Sequence, residues 1–518
     1  MKEQTEQFNY LVLVFSAALI LSVFARFSNN VIGIQAAVFF VIAAAFLFEF
    51  NFFSVRSPKA LLPILLFAVA VIVSYYMSDF KHNARNGVIL ASYCGGAYLL
   101  SGFLNENEKR GVLMISVFIS LWLTIYLLAT NVAFGNLLEP AAISRNAMSA
   151  ASFLLMALAI SFIFWWGDRP AYRYMSFVIF VAILITKSYL AVALASLAFA
   201  IFMFSVRSRI KVRTYITVTP FLLIAFAALY ILFFRSPYLA DKMASWHTAL
   251  AVFKNNMLFG VGFTNYENAS LYYASVSSAN ITFPENMFLQ ILAETGLFGA
   301  VTFCAVVALF FYRAASALKE PSGKDLFLPL MLGVSAFMIF NFFESFSFVA
   351  TNMLMFFIML AVPLGQYQSE PRKRKANSYV LIVLTIPLLI SLGMPVYAQQ
   401  EFRKGIMFFG AGRYSRALDF YTTAFRYDFM NPEYASKIAD AYFAMYRETD
   451  NSVYLHLSFE YAKRAVELNR RDSRYYYQLA WLYHFMGEKQ LASESIVKAL
   501  ELNKFDEHVK EAYGTLLY

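Results

Sequence analysis

The sequence predicts an all-α protein: a polytopic membrane bundle of about 12–13 spans, followed by a soluble solenoid of helical repeats. Composition predicts the bundle, because 60% of the 518 residues are hydrophobic and only 14% are charged, against roughly 25% charged in soluble domains. A change near residue 399, where charged helix-forming sequence begins, predicts the solenoid. A chain this apolar needs the bilayer as solvent for much of its surface.

The N-terminal part divides into apolar stretches of roughly the 20 residues that a helix needs to cross the hydrocarbon core. We expect spans near 10–27, 31–50, 60–77, 87–104, 111–130, 146–166, 174–186, 188–206, 214–234, 287–312, 326–345, 347–365 and 379–398. The seventh is short and is followed by Thr186-Lys187-Ser188, which predicts either a tight hairpin or a broken helix. Both cysteines lie in apolar stretches, which excludes a disulfide framework.

The positive charges indicate the orientation of the spans. A net charge of +10 could suggest nucleic-acid binding, but the basic residues cluster between apolar stretches, as the positive-inside rule predicts. Every even-numbered gap is basic, including 207–213 and 372–375. We therefore predict a multi-pass cell (inner) membrane domain at 1–398 with a cytoplasmic N-terminus. The loop 235–285 and the domain 399–518 would then be periplasmic or extracellular.

The tail from 399 to 518 has the spacing of a helix-turn-helix repeat. Small and aromatic residues recur at the expected positions: Gly412, Tyr414, Ala417, Ala424, Pro432, Leu479, Ala480, Trp481, Tyr483, Gly487, Ala492 and Ala499. The step from Ala465 to Ala499 is 34 residues, the period of tetratricopeptide repeats. The step from Ala424 to Ala465 is 41, so the middle unit should carry about two extra turns.

These residues resemble tetratricopeptide repeats, with 508–518 as a capping helix. The alternative is a set of unrelated helical hairpins with similar small residues. The resemblance implies that a peptide or partner protein binds the concave face, and that the chemistry lies in the membrane part.

Two polar motifs lie in and after the predicted external loop. The first begins Lys242-Met-Ala-Ser-Trp246-His247 and continues with Asn256-Met-Leu-Phe-Gly260-Val-Gly262. The second reads Glu285-Asn286-Met-Phe-Leu289-Gln290-Ile-Leu-Ala-Glu294-Thr-Gly296-Leu-Phe-Gly299. The sequence contains no phosphate-binding glycine-rich loop, metal-ligand cluster or Ser-His-Asp set.

Together these motifs resemble the O-antigen ligase and O-antigen polymerase family. Its members carry a basic residue four positions before a Trp, a Pro-Leu-x-Gly-x-Gly-like turn, and His-Asn-x-x-Leu-Gln-x-x-x-Glu-x-Gly-x-x-Gly. Two further segments are similar, Ser144-Arg145-Asn146-Ala147 and residues 184–191 around Lys187.

The resemblance implies a metal-independent and cofactor-independent glycosyltransferase on the outer face of the membrane. Such an enzyme moves a glycan from an undecaprenyl-diphosphate carrier to lipid A core, a protein hydroxyl or a growing glycan. External basic residues hold the departing diphosphate, and a neighbouring base deprotonates the acceptor hydroxyl. We therefore predict that Glu285, at the family's histidine position, is catalytic. The predicted substrate-binding residues are Arg145, Lys187, Lys242, Arg235, Asn286 and His247.

Each assignment has a structural alternative. Glu285 could satisfy the amides and the dipole at a helix start, and Arg145 and Arg235 could be interfacial anchors. His247, which follows a Trp, could be a surface or packing histidine.

Two departures from the family pattern concern charge. Lys242 and Tyr189 stand where the family has arginines, so this chain lacks the bidentate guanidinium at both positions. Glu294 and Gly296 lie two to three turns into the tenth span, where we favour a structural role, with the glycine allowing close packing or a kink.

Two other function classes compete with the glycosyltransferase. A transporter or flippase for lipid-linked glycans usually needs ionisable residues deep within its spans, and here only Glu344 and few others qualify. A non-catalytic assembly scaffold would use the repeats for recruitment and the membrane part as an anchor.

Overall fold

The computed structural model describes residues 12–22, 38, 41–42, 58–79, 81–104, 106–133, 140–165, 171–186, 188–207, 237–274, 283–319, 323–344, 350–364 and 377–517. All regular elements in these ranges are helical, which confirms the predicted all-α class. The predicted span 214–234 lies outside the described residues, as do Lys187 and Arg235.

Most of the described helices before the repeats overlap the predicted apolar stretches, and two lie in the predicted external loop. They are α1 (Pro58–Met77), α2 (Lys81–Leu100), α3 (Glu106–Ala133), α4 (Pro140–Ser161), α5 (Ala171–Ile185), α6 (Tyr189–Arg207), α7 (Pro237–Asn255), α8 (Tyr266–Tyr273), α9 (Met287–Ala317), α10 (Lys324–Phe343) and α11 (Ala350–Ala361). Helices α7 and α8 belong to the predicted external loop. The short seventh stretch and the eighth form the separate helices α5 and α6, which contact each other and pack on α4.

Two of the described helices, α9 and α10, are long and apolar enough to cross a membrane. The described residues also form shorter apolar helices, at Val12–Ser22, Leu61–Met77, Met148–Phe164, Ala171–Ile185, Tyr189–Phe202 and Thr351–Ala361. Beyond α9 and α10, the bundle of 12–13 spans stays a prediction.

Helix α4 occupies the centre of the bundle. Residues 149–163 are all buried, and so are residues 351–362, which include most of α11. Helices that are apolar on every side must be enclosed by other helices or by lipid. Stacked rings fill the space between helices, as for Phe337 of α10 and Phe356 of α11, whose centroids are 4.7 Å apart.

One end of the bundle carries the polar loops. We call it the loop end, formed by residues 78–79, 81, 237–274, 283–286 and 344. The hydroxyls of Ser74 and Ser78 fasten α1 to it, donating to the carbonyls of Glu294 (2.7 Å) and Val261 (2.6 Å). The short helix α8 is tied to α7 by Tyr266, whose hydroxyl donates to the Ser245 carbonyl at 3.2 Å.

A single helix, α12 (Asn377–Gly410), runs from the last predicted span into the repeats. The predicted domain boundary at 398/399 therefore falls inside a continuous helix. Ala398 and Phe402 of α12 already belong to the first repeat core, where they are buried with Tyr421 and Tyr434. The last predicted span and the first repeat helix are thus one continuous helix.

The remaining helices form antiparallel pairs. They are α13 (Tyr414–Tyr427), α14 (Pro432–Thr449), α15 (Ser452–Leu468), α16 (Ser473–Phe485), α17 (Lys489–Leu502) and α18 (Glu507–Leu517). Helix α12 packs with α13, α14 with α15 and α16 with α17, and α18 covers α17, as the predicted capping helix should. The middle pair is longer, with 18 and 17 residues against 13 and 14 in the next pair, which confirms the predicted extra turns.

The repeats dock on the loop end. Arg85, near the start of α2, forms a bidentate ion pair with the Asp428 carboxylate, with N–O distances of 2.9 and 3.0 Å. Asp428 is nearly buried, at 3% side-chain exposure. A second pair joins Arg471 of the repeats to Asp79 at 2.8 Å. The repeats and the polar loops therefore share one end of the bundle.

Candidate active site

The second motif contains a break in helix α9. Gly296 has φ 66° and ψ −169°, a conformation that interrupts the helix and suits glycine alone. The amides that the break releases bond to an earlier turn: Leu297 N–H donates to the Met257 carbonyl (2.8 Å) and Phe298 N–H to the Leu258 carbonyl (3.4 Å). A kink, one of the two structural roles expected for this glycine, is confirmed.

The same turn supplies donors for the carbonyls at the break. Val261 N–H donates to the Ala293 carbonyl (3.1 Å) and Gly262 N–H donates to the Glu294 carbonyl (2.9 Å). A side chain at Gly260 would overlap the backbone of Glu294, so only glycine permits this approach. Residues 257–262 and 293–298 thus form one unit, which we call the α9 joint, and it explains Gly260 of the first motif and Gly296 of the second.

The Glu294 carboxylate belongs to the same structural unit. It is fully buried and accepts hydrogen bonds from the backbone N–H groups of Thr264 (2.9 Å) and Tyr266 (3.2 Å). The Gln290 amide donates a third at 3.1 Å. These bonds fix the start of α8 against α9, which agrees with the structural role favoured for Glu294.

At the loop end lies a buried lysine between two carboxylates. The Lys242 ammonium donates to Glu344 Oε1 at 2.9 Å and to the Phe343 carbonyl at 2.6 Å. A carboxylate oxygen of Glu285 lies 3.8 Å from the same nitrogen. We call these three residues the Lys242 cluster. Side-chain exposure is 5% for Lys242, 7% for Glu344 and 21% for Glu285, so Glu285 is the member that reaches the surface.

Local backbone geometry places Glu285 in the cluster. Its φ of 52° lies in the left-handed region, which is uncommon for residues other than glycine and is often found at functional sites. Directly after it, the Asn286 side chain caps α9 by accepting from the N–H groups of Phe288 and Leu289, each at 3.0 Å. The side-chain oxygen Oδ1 of Asn286 is thus used by the cap. The predicted contact of Asn286 with substrate stays a prediction.

The register of α4 against α10 locates position 145. The Asn341 amide donates to the Ser152 hydroxyl at 3.0 Å, and nearer the other end Gly333 lies against Ala159. Arg145 precedes Ser152 by seven residues, which is about two helical turns. The backbone at Arg145 therefore lies two turns beyond Ser152 toward the loop end, on the same face and about one turn past the level of Glu344, which follows Asn341 by only three residues.

The aromatic and histidine positions of the first motif are separated. The Trp246 ring packs on Phe342, with centroids 5.8 Å apart, and Phe288 lies on the same ring at 6.1 Å. This packing holds α7 across the ends of α9 and α10. His247 lies on the exposed face of α7, whereas Lys242 is on its buried face. The structure does not bring this histidine into the cluster, and its role in binding stays a prediction.

The residue that the sequence did not indicate as part of the site is Glu344. It lies 102 positions after Lys242 and was considered only as an ionisable residue of a span. The structure places it at the C-cap of α10, at the end of the apolar helix. A carboxylate directly after an apolar helix was the one available signal, and it did not identify the partner.

Comparison with known proteins supports the predicted resemblance. Residues 140–304 match the family profile described as O-antigen ligase. The matched region includes Arg145, Lys242, Glu285 and the α9 joint, and it supports a membrane glycosyltransferase of the ligase and polymerase type. The comparison with curated proteins found no match.

Several solved structures are similar to part of the chain. One is the first tetratricopeptide-repeat domain of Spaghetti (RPAP3) bound to an HSP90 peptide: it is 22% identical, covers 23% of this chain and 92% of its own, and has a TM-score of 0.21. The first such domain of human RPAP3 is 23% identical, with coverage of 24% and 91% and a TM-score of 0.22. The Sgt2 domain from Aspergillus fumigatus is 24% identical, with coverage of 23% and 76% and a TM-score of 0.21.

Proposed function

We propose that this protein is a polytopic membrane glycosyltransferase that moves a glycan from an undecaprenyl-diphosphate carrier to an acceptor hydroxyl on the outer face of the membrane. The observation that supports this most directly is the Lys242 cluster. Glu285 reaches the surface of the loop end, and the buried Lys242, which is paired with Glu344, lies 3.8 Å from its carboxylate. Two of its three members, Lys242 and Glu285, lie in the region 140–304 that matches the O-antigen ligase profile.

The proposed reaction is a displacement at the anomeric carbon of the donor. The acceptor oxygen forms a new bond to that carbon, the bond from carbon to diphosphate oxygen breaks, and undecaprenyl diphosphate leaves with the electron pair. Negative charge develops on the departing diphosphate, where fixed cations are most effective. The acceptor hydroxyl loses its proton in the same process.

Glu285 takes the proton from the acceptor in this proposal. A carboxylate can act as a general base when it lies within hydrogen-bond reach of the hydroxyl. The cap at Asn286 fixes the chain directly after Glu285, and the Lys242 ammonium, 3.8 Å from the carboxylate, stabilises its negative charge.

Lys242 acts as a positioning residue in this scheme. Its ammonium is buried and already bonded to Glu344 and the Phe343 carbonyl, so it is poorly placed to clasp a diphosphate. The diphosphate would instead be held by Arg145, whose backbone lies at the loop end, with Lys187 and Arg235 as further predicted cations.

The position of Glu344 weakens the transporter alternative. Transport coupled to ions usually relies on ionisable side chains deep within the spans. The structure instead places Glu344 at the terminus of α10, where it bonds to Lys242.

The test is stoichiometric transfer by the purified full-length protein in lipid nanodiscs. Undecaprenyl-diphosphate-linked glycan and a hydroxyl acceptor are supplied, and the glycosylated acceptor and free undecaprenyl diphosphate are measured together. One carrier diphosphate released per glycan transferred is expected. Movement of intact donor between leaflets of proteoliposomes without any transfer would favour a flippase, and neither activity would favour a scaffold.

A further inference from the structure

The repeats carry a polar groove on the face formed by α14 and α16, the first helices of their second and third pairs. It lies between α14 and α16 and has a volume of about 350 Å³. Its lining includes charged and aromatic side chains: Glu433, Lys437, Asp440, Arg474, Tyr475, Tyr477 and Trp481. We call this cavity the groove.

A second cavity continues the groove to the loop end. This cleft, of about 140 Å³, shares Glu433, Arg474 and Tyr475 with the groove. On the opposite side it is closed by Lys81 of α2 and Asn268 of α8. The groove of the repeats therefore opens onto the loop end.

The helix α8 links the cleft to the Lys242 cluster. Asn268 lies in α8, two residues after Tyr266, whose hydroxyl is bonded to the Ser245 carbonyl. Ser245 follows Lys242 by about one turn of α7. With eight residues, α8 is about 12 Å long. A chain molecule lying in the groove and cleft would thus end within about one short helix of the cluster.

The lining favours a sugar chain over an acidic peptide. Aromatic rings offer flat apolar faces for pyranose rings, and carboxylate, guanidinium and amide groups can each bond to neighbouring hydroxyls in pairs. The charges of its lining balance, with Glu433 and Asp440 against Lys437 and Arg474, so the groove offers no net positive charge to attract an acidic peptide. The mixed charge of the groove suits a ligand that is rich in hydroxyls.

We propose that the groove and cleft bind the sugar chain of a glycan substrate and guide it to the Lys242 cluster. This inference rests on the proposed function, because it names a binding site for a substrate of that reaction. The repeat domain is then part of the substrate-binding surface of the enzyme, and Tyr477 and Asn268 are contacts along it.

Photocrosslinking tests the proposal without requiring transfer. A photoreactive amino acid is placed at Tyr477, at Asn268 or, as a control, at His456, which is exposed on α15 outside the groove. Each full-length protein in nanodiscs receives a single probe, either sugar-labelled undecaprenyl-diphosphate glycan or the same glycan freed of its carrier. We expect labelling at Tyr477 and Asn268 well above His456. Labelling by the carrier-linked probe alone identifies the donor's sugars, and labelling by the free glycan identifies the acceptor chain.

A kinetic measurement separates this inference from the proposed function. We expect Tyr477→Ala to raise KM for one glycan substrate by up to about tenfold, the loss of one aromatic contact, with kcat nearly unchanged. His456→Ala should alter neither. Transfer by the wild type with no glycan labelling above the control, or labelling by a polypeptide instead, would overturn the inference and leave the proposed function intact. Absence of transfer with labelling retained would refute only the proposed function.

Discussion

At the residue scale, the Lys242 cluster shows how a buried cation becomes tolerable. An ammonium that has left water must recover its hydration energy from nearby acceptors. Lys242 does so with the Glu344 carboxylate and the Phe343 carbonyl, while Glu285 adds negative charge 3.8 Å away. Because each charge is stabilised by the others, removing one charge should lower the folding stability more than removing Lys242 and Glu344 together.

This dependence predicts a non-additive stability change. Lys242→Met should lower stability by about 3 kcal/mol, because Glu344 is left buried without its cation. Adding Glu344→Gln should recover much of that loss. Lys254→Met, on the exposed face of the same helix, should change little. Thermal unfolding of the four proteins in one detergent measures this, and equal losses for the single and double variants would argue against the pair.

At the element scale, the α9 joint explains why glycines recur in both motifs. A helix that breaks at Gly296 exposes amides and carbonyls, and the turn 257–262 supplies partners for both. The joint also fixes the helical segment that begins at the Asn286 cap, and Glu285 lies directly before that cap. The precision of the candidate site therefore depends on a backbone arrangement several turns away.

The joint predicts a position-dependent effect of adding one methyl group. Gly296→Ala should cost roughly 1–3 kcal/mol from backbone strain alone, and its Cβ would also overlap the Leu258 carbonyl. Gly95→Ala, in helix α2, meets no neighbouring atom and should be neutral or stabilising. Melting temperatures in detergent distinguish the two, and similar values for both variants would show that the break in α9 is not required.

The sequence predicted the positions of helices better than it predicted which side chains pair with each other. Apolar stretches gave spans such as 60–77 and 287–312, and the structure has helices at Pro58–Met77 and Met287–Ala317, because burial imposes that pattern residue by residue. The pairing of Lys242 with Glu344 depends on how α7 crosses the end of α10, and no local pattern encodes that. The continuity of α12 was also missed, because the change from apolar to charged sequence at residue 399 has no counterpart in the helical backbone.

At the scale of the whole molecule, the repeats and the candidate site occupy the same end of the bundle. Arg85 and Asp428 hold them there through a bidentate pair, and Arg471 with Asp79 adds a second contact. Helix α12 enters the repeats without a break, so the solenoid is restrained at its base and along its side. One membrane face should therefore expose both the loops and the repeats.

Accessibility in cells tests that shared face. Cysteines at exposed Glu267 and Ser452 should react with an impermeant maleimide in intact cells or spheroplasts, whereas one at Lys319, at the opposite end of α9, should react only after lysis. If the cysteine at position 319 reacts in intact cells and the other two are protected, the orientation is the reverse of the one proposed.

The central claim is that Glu285 is the base of a glycan transfer, and one variant tests it most directly. In Glu285→Gln the side chain keeps its size but cannot accept the proton, so transfer from purified carrier-linked donor should fall by about 10²–10⁴-fold. Donor binding, measured separately, should remain close to that of the wild type. Near-normal turnover in Glu285→Gln would contradict the account and leave Glu285 with a structural role at the start of α9.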